Sequence, residues 1–413
     1  MRIGSDETRV VLAPGQEAAE RTAAADGAGK DAGQDRPALA LEGTGTLQAQ
    51  DQRTLRRKVR AIGAVLVAVS LLSLCVDDSL KCLYNPLEML ACYKLWFSQT
   101  FAVLTHSGTA LSSAQILATH PAYYRIVDRV AVTFLTVVAG MILALAGALY
   151  QHAFRNPIAS PTMLGVSSGL RLGYVLLVLI YGTAASEMTG ACYLFCYGSV
   201  IVTLLLLLVF TKLIAGRGRP VNIVDMLLVA TILSQLIGVI VTYVTWYLFD
   251  DTEWEVYNSL SEVLTVDTHW YAFVALGISC LVAIVPIYLY RFRLNVLSFE
   301  DSDMKLMGVD PSQLRVLALV CGTVLVMTAQ LQTGTVAMVS LVVPHVSRFV
   351  FGAEFRKQFF GNLLLGAVLL VVCRCIVSFI PFVGGGLPIG TVVNFVVLPA
   401  FVWMIATQQR SWE

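Results

Sequence analysis

About ten separate stretches of this chain are apolar for roughly 20 residues each, the length a helix needs to cross a bilayer. In hydrocarbon a single segment satisfies its backbone polar groups only as a helix, so the runs leave one fold class. The expected fold is all-α: a polytopic helical membrane protein with about ten transmembrane helices. The runs place these helices at residues 59–76, 126–151, 163–182, 188–213, 221–249, 270–290, 314–332, 335–351, 360–380 and 388–407. A chain that is 57% hydrophobic and 13% charged has no soluble fold to offer for its bulk.

Charge placement orients the helices. Arg53, Arg56, Arg57, Lys58 and Arg60 precede the first run. Further basic residues fall in alternate connections: Arg155; Lys212, Arg217 and Arg219; Arg291 and Arg293; Arg348, Arg356 and Lys357. The connection 250–268 carries Asp250, Asp251, Glu253, Glu255, Glu262 and Asp267 and no Lys or Arg. Basic residues mark the cytoplasmic side, so both termini are expected in the cytoplasm of a multi-pass cell (inner or plasma) membrane protein. The net charge of +1 says nothing about a partner; no nucleic acid is expected, and membrane lipid is the expected surround.

Residues 1–52 are rich in Ala, Gly, Gln and acidic residues and nearly lack aromatics, which predicts a disordered cytoplasmic tail ahead of a membrane domain at 53–413. The stretch is too polar for a signal peptide. Its AADGAGKD run lacks the leading Gly and the Ser or Thr after Lys30 that a phosphate-binding loop needs, so no ATP site is expected. Residues 77–124 are too polar to span, yet aromatic enough for a helix on the outer face. The nine cysteines form no CxxC pair and the five histidines show no ligand spacing, so no metal or cofactor is expected.

Two polar passages interrupt the pattern. At 146–173 the chain reads AGALYQHAFRNPIASPTMLGVSSGLRLG, and Arg155, Asn156, Pro157 and Pro161 predict a tight turn between two membrane helices. At 291–319 it reads RFRLNVLSFEDSDMKLMGVDPSQLRVLAL. Phe299, Met304, Leu306 and Met307 give this passage an apolar side, and two short helices broken at Gly308 account for it. Ser302 is the expected cap of the first, and Asp310, with Pro311 after it, the cap of the second. Periodicity alone leaves two readings: a docking surface for a partner, or a loop helix covering the bundle.

These passages resemble the FecCD-type permeases, the membrane subunits of type II ABC importers for iron–siderophores, haem or cobalamin. The family's GAxxQxxFRNPLAxPxxLGVSSG is matched by Gly147, Gln151, Phe154, Arg155, Asn156, Pro157, Ala159, Pro161 and the run from Leu164 to Gly169. Its LNLLSLGDxxARSLGV is matched by Leu294, Asn295, Leu297, Ser298, Leu306, Gly308 and Val309, with Glu300 and Asp301 where the family has acids. VVPHVSRFVFGAEFR carries Val343, Pro344, His345, Arg348, Gly352 and Arg356 of a further family run. The last, LPIGTVVNFVVLPAFVW, matches at Leu387, Pro388, Ile389, Gly390, Pro399, Phe401 and Trp403. The resemblance covers about 120–407.

The resemblance implies a type II ABC importer permease fold and a subunit that moves a metal chelate, most often an iron–siderophore, by alternating access. A separate ATPase subunit, an extracytoplasmic substrate-binding protein and a second permease copy are the implied partners. Residues 299–315 become the ATPase-coupling element, with Glu300, Asp303, Leu306, Gly308, Val309 and Asp310 in contact. Asn156, Pro157 and Ile158 become the inner gate, and Pro344, His345 and Arg348 a motif of the cytoplasmic face. No catalytic residue is implied. The family's paired docking arginines at the outer start of the second helix are incomplete: Arg129 takes the first place, Val132 the second, and Arg125 lies one turn earlier as a substitute. Family positions for a further Arg, an Asp and a Glu hold Phe379, Cys375 and Gly386. Arg171 stands where the family prefers a small residue; inside a membrane helix it either lines the pathway or pairs within the bundle, with Asp225 as a candidate partner. Arg374 is expected to snorkel. An ion-coupled secondary transporter is the rival class and would need intramembrane acids; HExxH and GxSxG, marks of an intramembrane enzyme, do not occur.

Overall fold

The computed structural model describes residues 36–77, 82–104, 116, 119–215, 223–262, 270–352, 354–380 and 387–409. The chain divides into two units, residues 1–56 and 57–413. Of the tail expected over 1–52, residues 1–35 lie outside the described residues and 36–52 are helical, as the start of α1 (Arg36–Cys75).

In the second unit a two-residue antiparallel pair, Val76–Asp77 with Cys82–Leu83, closes the end of α1. Helix α2 (Pro86–Leu104) follows and packs through Cys92, Met89 and Tyr93 on Tyr123 and Ile126 of α3 (Tyr123–Phe154). Then come α4 (Val166–Tyr181), α5 (Thr189–Ala215), α6 (Ile223–Tyr247), the short α7 (Asp251–Glu262) and α8 (Trp270–Leu294). After α9 (Asp301–Leu306) the chain forms α10 (Pro311–Thr333), α11 (Met338–Phe351), α12 (Phe355–Phe379) and α13 (Ile389–Gln409). Among the described residues eight helices are long and apolar enough to span a membrane, and α11 and the first part of α13 are shorter apolar helices. The chain is therefore a multi-pass, all-α membrane protein.

Burial separates centre from rim. In the most apolar stretch of both α3 and α10, 67% of residues are buried, against 6% in α1. Helix α3 is the central post, packed by α10, α11 and α12. Lipid tails are as apolar as Leu, so tight approach rather than water exclusion must hold such a post. Small residues supply the approach. A Cβ on Gly140 would stand 2.4 Å from the carbonyl oxygen of Gly366 in α12.

The start of α11 and the place of Arg374 differ from the sequence expectation. Helix α11 starts at Met338, because Gly334 (φ +70°) opens a non-helical link to Ala337. That link is tolerated at membrane depth because it is buried in protein, and Gly390 of α13 lies against the Thr335 carbonyl. Arg374 does not snorkel: it is 8% exposed and lies inside the bundle.

Candidate functional site

The polar turn after α3 is a compact backbone device. Arg155 ends the helix with φ +49° and is the one non-glycine residue at positive φ among the described residues. Its N–H donates to the carbonyl of His152 (3.2 Å), and the N–H of Asn156 donates to that of Gln151 (3.1 Å). This pair of bonds is the Schellman closure, whose left-handed position glycine ordinarily fills. For an L-residue with a Cβ the conformation costs about 1–2 kcal/mol. Asn156 then accepts from the N–H of Ile158 (3.0 Å), which turns the chain and leaves Ile158 53% exposed.

The segment between α8 and α10 is built in the same way. A 3-10 turn (Asn295–Ser298) leads into α9. Gly308 N–H donates to the Lys305 carbonyl and Val309 N–H to the Met304 carbonyl, both 3.0 Å, with Gly308 at φ +74°. This second Schellman closure has the glycine that the first one lacks. Asp310 caps α10 by accepting from Ser312 N–H (2.9 Å), with Pro311 at the first helical position, as expected. The cap expected at Ser302 is instead Glu300, without a side-chain bond, and Ser302 lies in the first turn of α9. The second of the two expected short helices is the start of α10 itself, which runs unbroken into the bundle.

The segment has two apolar sides rather than one. Leu294, Leu297 and Met304 are buried in the main core. Leu306 is 87% exposed, and Phe299 and Met307 are exposed beside it. Asn295 Oδ1 also accepts from the N–H of Phe355 (3.0 Å) and ties the segment to α12. One side therefore anchors the segment, and the other presents an uncovered apolar patch rimmed by Glu300, Asp303 and Asp310.

A charge cluster joins the turn to the segment. Arg155 donates through Nε to the Leu297 carbonyl (3.0 Å) and through Nη2 to Asp301 Oδ1. Arg315 of α10 donates through Nη1 to Asp301 Oδ2 (3.0 Å) and through Nη2 to Oδ1. The Arg315 fork holds the Asp301 carboxyl down at about 2; partial burial opposes this, and the Arg155 bond adds to it. A recess of about 210 Å³ opens beside the cluster, lined by Gln151, His152, Arg155, Asn156, Pro157, Ser298 and Arg348. The structure thus brings Asn156, Pro157, Arg348 and the start of the 299–315 segment to one place. Pro344 is buried one turn before Arg348, while His345 lies edge-on to Phe401 of α13.

Other expected residues lie apart. Arg171 is exposed on α4 and makes no hydrogen bond or ion pair among the described residues; Asp225 likewise makes none. Because α4 starts at Val166 rather than at 163, Arg171 is about 7–8 Å into the helix at 1.5 Å per residue. Arg125 is exposed at the start of α3, whereas Arg129 is 5% exposed near Tyr93.

A polar ladder along α10 had no counterpart in the expected residues. Thr323 meets Tyr150 Oη (2.6 Å), Thr328 meets Ser279 (2.8 Å) and Tyr197 (2.6 Å), and Gln330 donates to Ser167 (3.0 Å). Gln332 donates to Tyr193 Oη (2.7 Å). Two glutamines in a helix this apolar were the available signal, since each must find partners away from water.

Residues 88–407 match the FecCD transport family. The chain belongs to the FecCD transport family. Members of that family are membrane permease subunits of ABC importers, in which ATP hydrolysis belongs to a separate subunit. This FecCD chain is 28% identical over 273 residues to a Helicobacter pylori protein named probable iron chelatin transport system permease protein, covering 66% of this chain and 78% of that one. It is 30% identical over 274 residues to the Fe(3+) dicitrate transport system permease protein FecC of Escherichia coli, covering 66% and 80%. A solved inward-facing structure assigned to the metal-chelate type of ABC transporter shares the fold, with a TM-score of 0.63 at 20% identity over 85% of this chain and 99% of that one.

Proposed function

We propose that this chain is the permease subunit of an ABC importer and that its cargo is a metal chelate, an iron–siderophore before haem or cobalamin. The observation that carries the reading is the two-sided segment at 295–315: an anchored side on the core and an uncovered apolar patch at Phe299, Leu306 and Met307. Exposed apolar patches rimmed by polar residues are what partners cover. The patch takes an ATPase subunit, with Glu300, Asp303, Gly308, Val309 and Asp310 around the contact. The basic connections assign this face, with both termini, to the cytoplasm. Residues 53–413 form the permease domain behind a cytoplasmic tail.

On this reading the exposed turn at Asn156, Pro157 and Ile158 closes the inner mouth against a second permease copy. Arg171, exposed on α4 with no partner among the described residues, lines the pathway and meets an anionic chelate. Arg125, exposed at the other end of α3, serves docking of an extracytoplasmic binding protein, with Arg129 behind it supporting the α2 packing.

Uptake of labelled ferric siderophore, haem and cobalamin in cells with and without the gene tests the proposal. Gene-dependent, energy-dependent iron uptake is the expected result; independence of all three from the gene overturns the metal-chelate assignment. Arg171→Met tests the pathway role: unchanged uptake removes Arg171 from the pathway.

A further inference from the structure

Two Schellman closures lie on the same face, one after α3 and one after α9. The second uses Gly308, which suits the left-handed backbone. The first uses Arg155, which does not suit it. A strained position filled by a long cation points to work for the side chain. That side chain spans from the turn to α9: it holds the Leu297 carbonyl, the Asp301 carboxylate and the Met304 sulfur (3.8 Å). Asp301 is in turn gripped by the planar fork of Arg315 at the start of α10.

Resting on the coupling and gate roles proposed above, we infer that Arg155 and Asp301 form the joint that transmits movement of the coupling helix to the inner gate. The joint has the required mechanics. Leu306, at the end of the helix that carries Asp301, and Met307, its C-cap, form the surface for the ATPase. Ile158, the exposed tip of the turn, is three residues from Arg155 and fixed to it through Asn156. A shift of α9 therefore carries Asp301, then the Arg155 head, then the turn. Arg315 keeps Asp301 charged and aimed while this happens. Arg155 is a positioning residue: it acts through Asp301 and the turn that it ends.

The test uses the purified complex with its ATPase and a reporter thiol, Ile158→Cys, labelled by a water-soluble maleimide with and without ATP and vanadate. In the complex with Arg155 intact, nucleotide changes the labelling rate. Arg155→Gly suits the backbone of the turn but removes the joint, so the nucleotide-induced change is expected to shrink about tenfold while the ATPase still co-purifies. Arg155→Lys, which keeps a cation within reach of Asp301, restores most of it. A full nucleotide response in Arg155→Gly overturns the joint. So does loss of folded protein in Arg155→Gly, because Arg155 then serves as a structural prop. If the unaltered complex shows no nucleotide response at Ile158→Cys, or the ATPase never binds, the gate or coupling reading fails instead.

Discussion

Gly147 of α3 faces the backbone of Ser340 in α11 so closely that a Cβ on it would stand 1.8 Å from the Ser340 carbonyl oxygen. One turn further on, Gln151 Nε2 donates to the Leu341 carbonyl (2.9 Å) and fixes the same pair of helices. The glycine therefore sets how near α11 comes to the central post, just before the chain reaches the Arg155 turn. Gly147→Ala is expected to destabilise by about 1–3 kcal/mol or more through overpacking. Thermal unfolding in detergent measures this, with Gly198→Ala as the control: a Cβ there meets nothing within 4 Å, and no loss is expected.

Tyr150 is fully buried in α3, and its hydroxyl pairs with Thr323 of α10 at 2.6 Å. Thr323→Val strands that hydroxyl and is expected to cost about 1–3 kcal/mol. Tyr150→Phe removes the stranded group, so the double variant Tyr150→Phe with Thr323→Val is expected to be more stable than Thr323→Val alone. A double-mutant cycle on unfolding midpoints checks the sign; additive losses would contradict it.

Asp301 has its carboxyl lowered from 3.8 to about 2 by Arg315 and Arg155. A carboxyl lowered in the folded state stabilises above its unfolded value and loses that contribution as pH falls through the folded one. The stability difference between the unaltered chain and Asp301→Asn is therefore expected to hold from pH 8 to about 4.5 and to shrink toward pH 2. Melting series across that range test it. A difference that vanishes near pH 6 would mean that Asp301 is not held by the two arginines.

Much of this architecture is legible in the residues because hydrocarbon tolerates so few backbones. The apolar runs located the spanning helices, and Gly308, Asp310 and Pro311 located the break and the cap in the polar segment, since each residue type satisfies a specific local geometry. Motif glycines also have readable reasons: Gly147 meets Ser340, and a Cβ on Gly169 would stand 2.8 Å from Thr203 Oγ1. What was not legible depends on contacts far apart in sequence. Arg155 read as one more basic residue of a turn; nothing local announces its left-handed backbone or its bond to a carboxylate in α9. The burial of Arg374 and the partners of Gln330 and Gln332 escaped for the same reason, because periodicity gives a helix face without naming what covers it. Ser302 failed as a cap because the extended backbone falls at Glu300, two residues earlier than the side-chain chemistry suggested.

On the proposed function, a separate ATPase drives this FecCD chain through the uncovered side of residues 299–315. Binding of the ATPase subunit to the purified chain, compared with Leu306→Glu, tests it most directly. Leu306 is 87% exposed, so a charge there leaves the fold intact while spoiling an apolar contact. Binding by the unaltered chain, at least about tenfold weaker binding by Leu306→Glu, and equal unfolding temperatures for the two are the expected results. Equal binding by both chains, or none by the unaltered one, would contradict it.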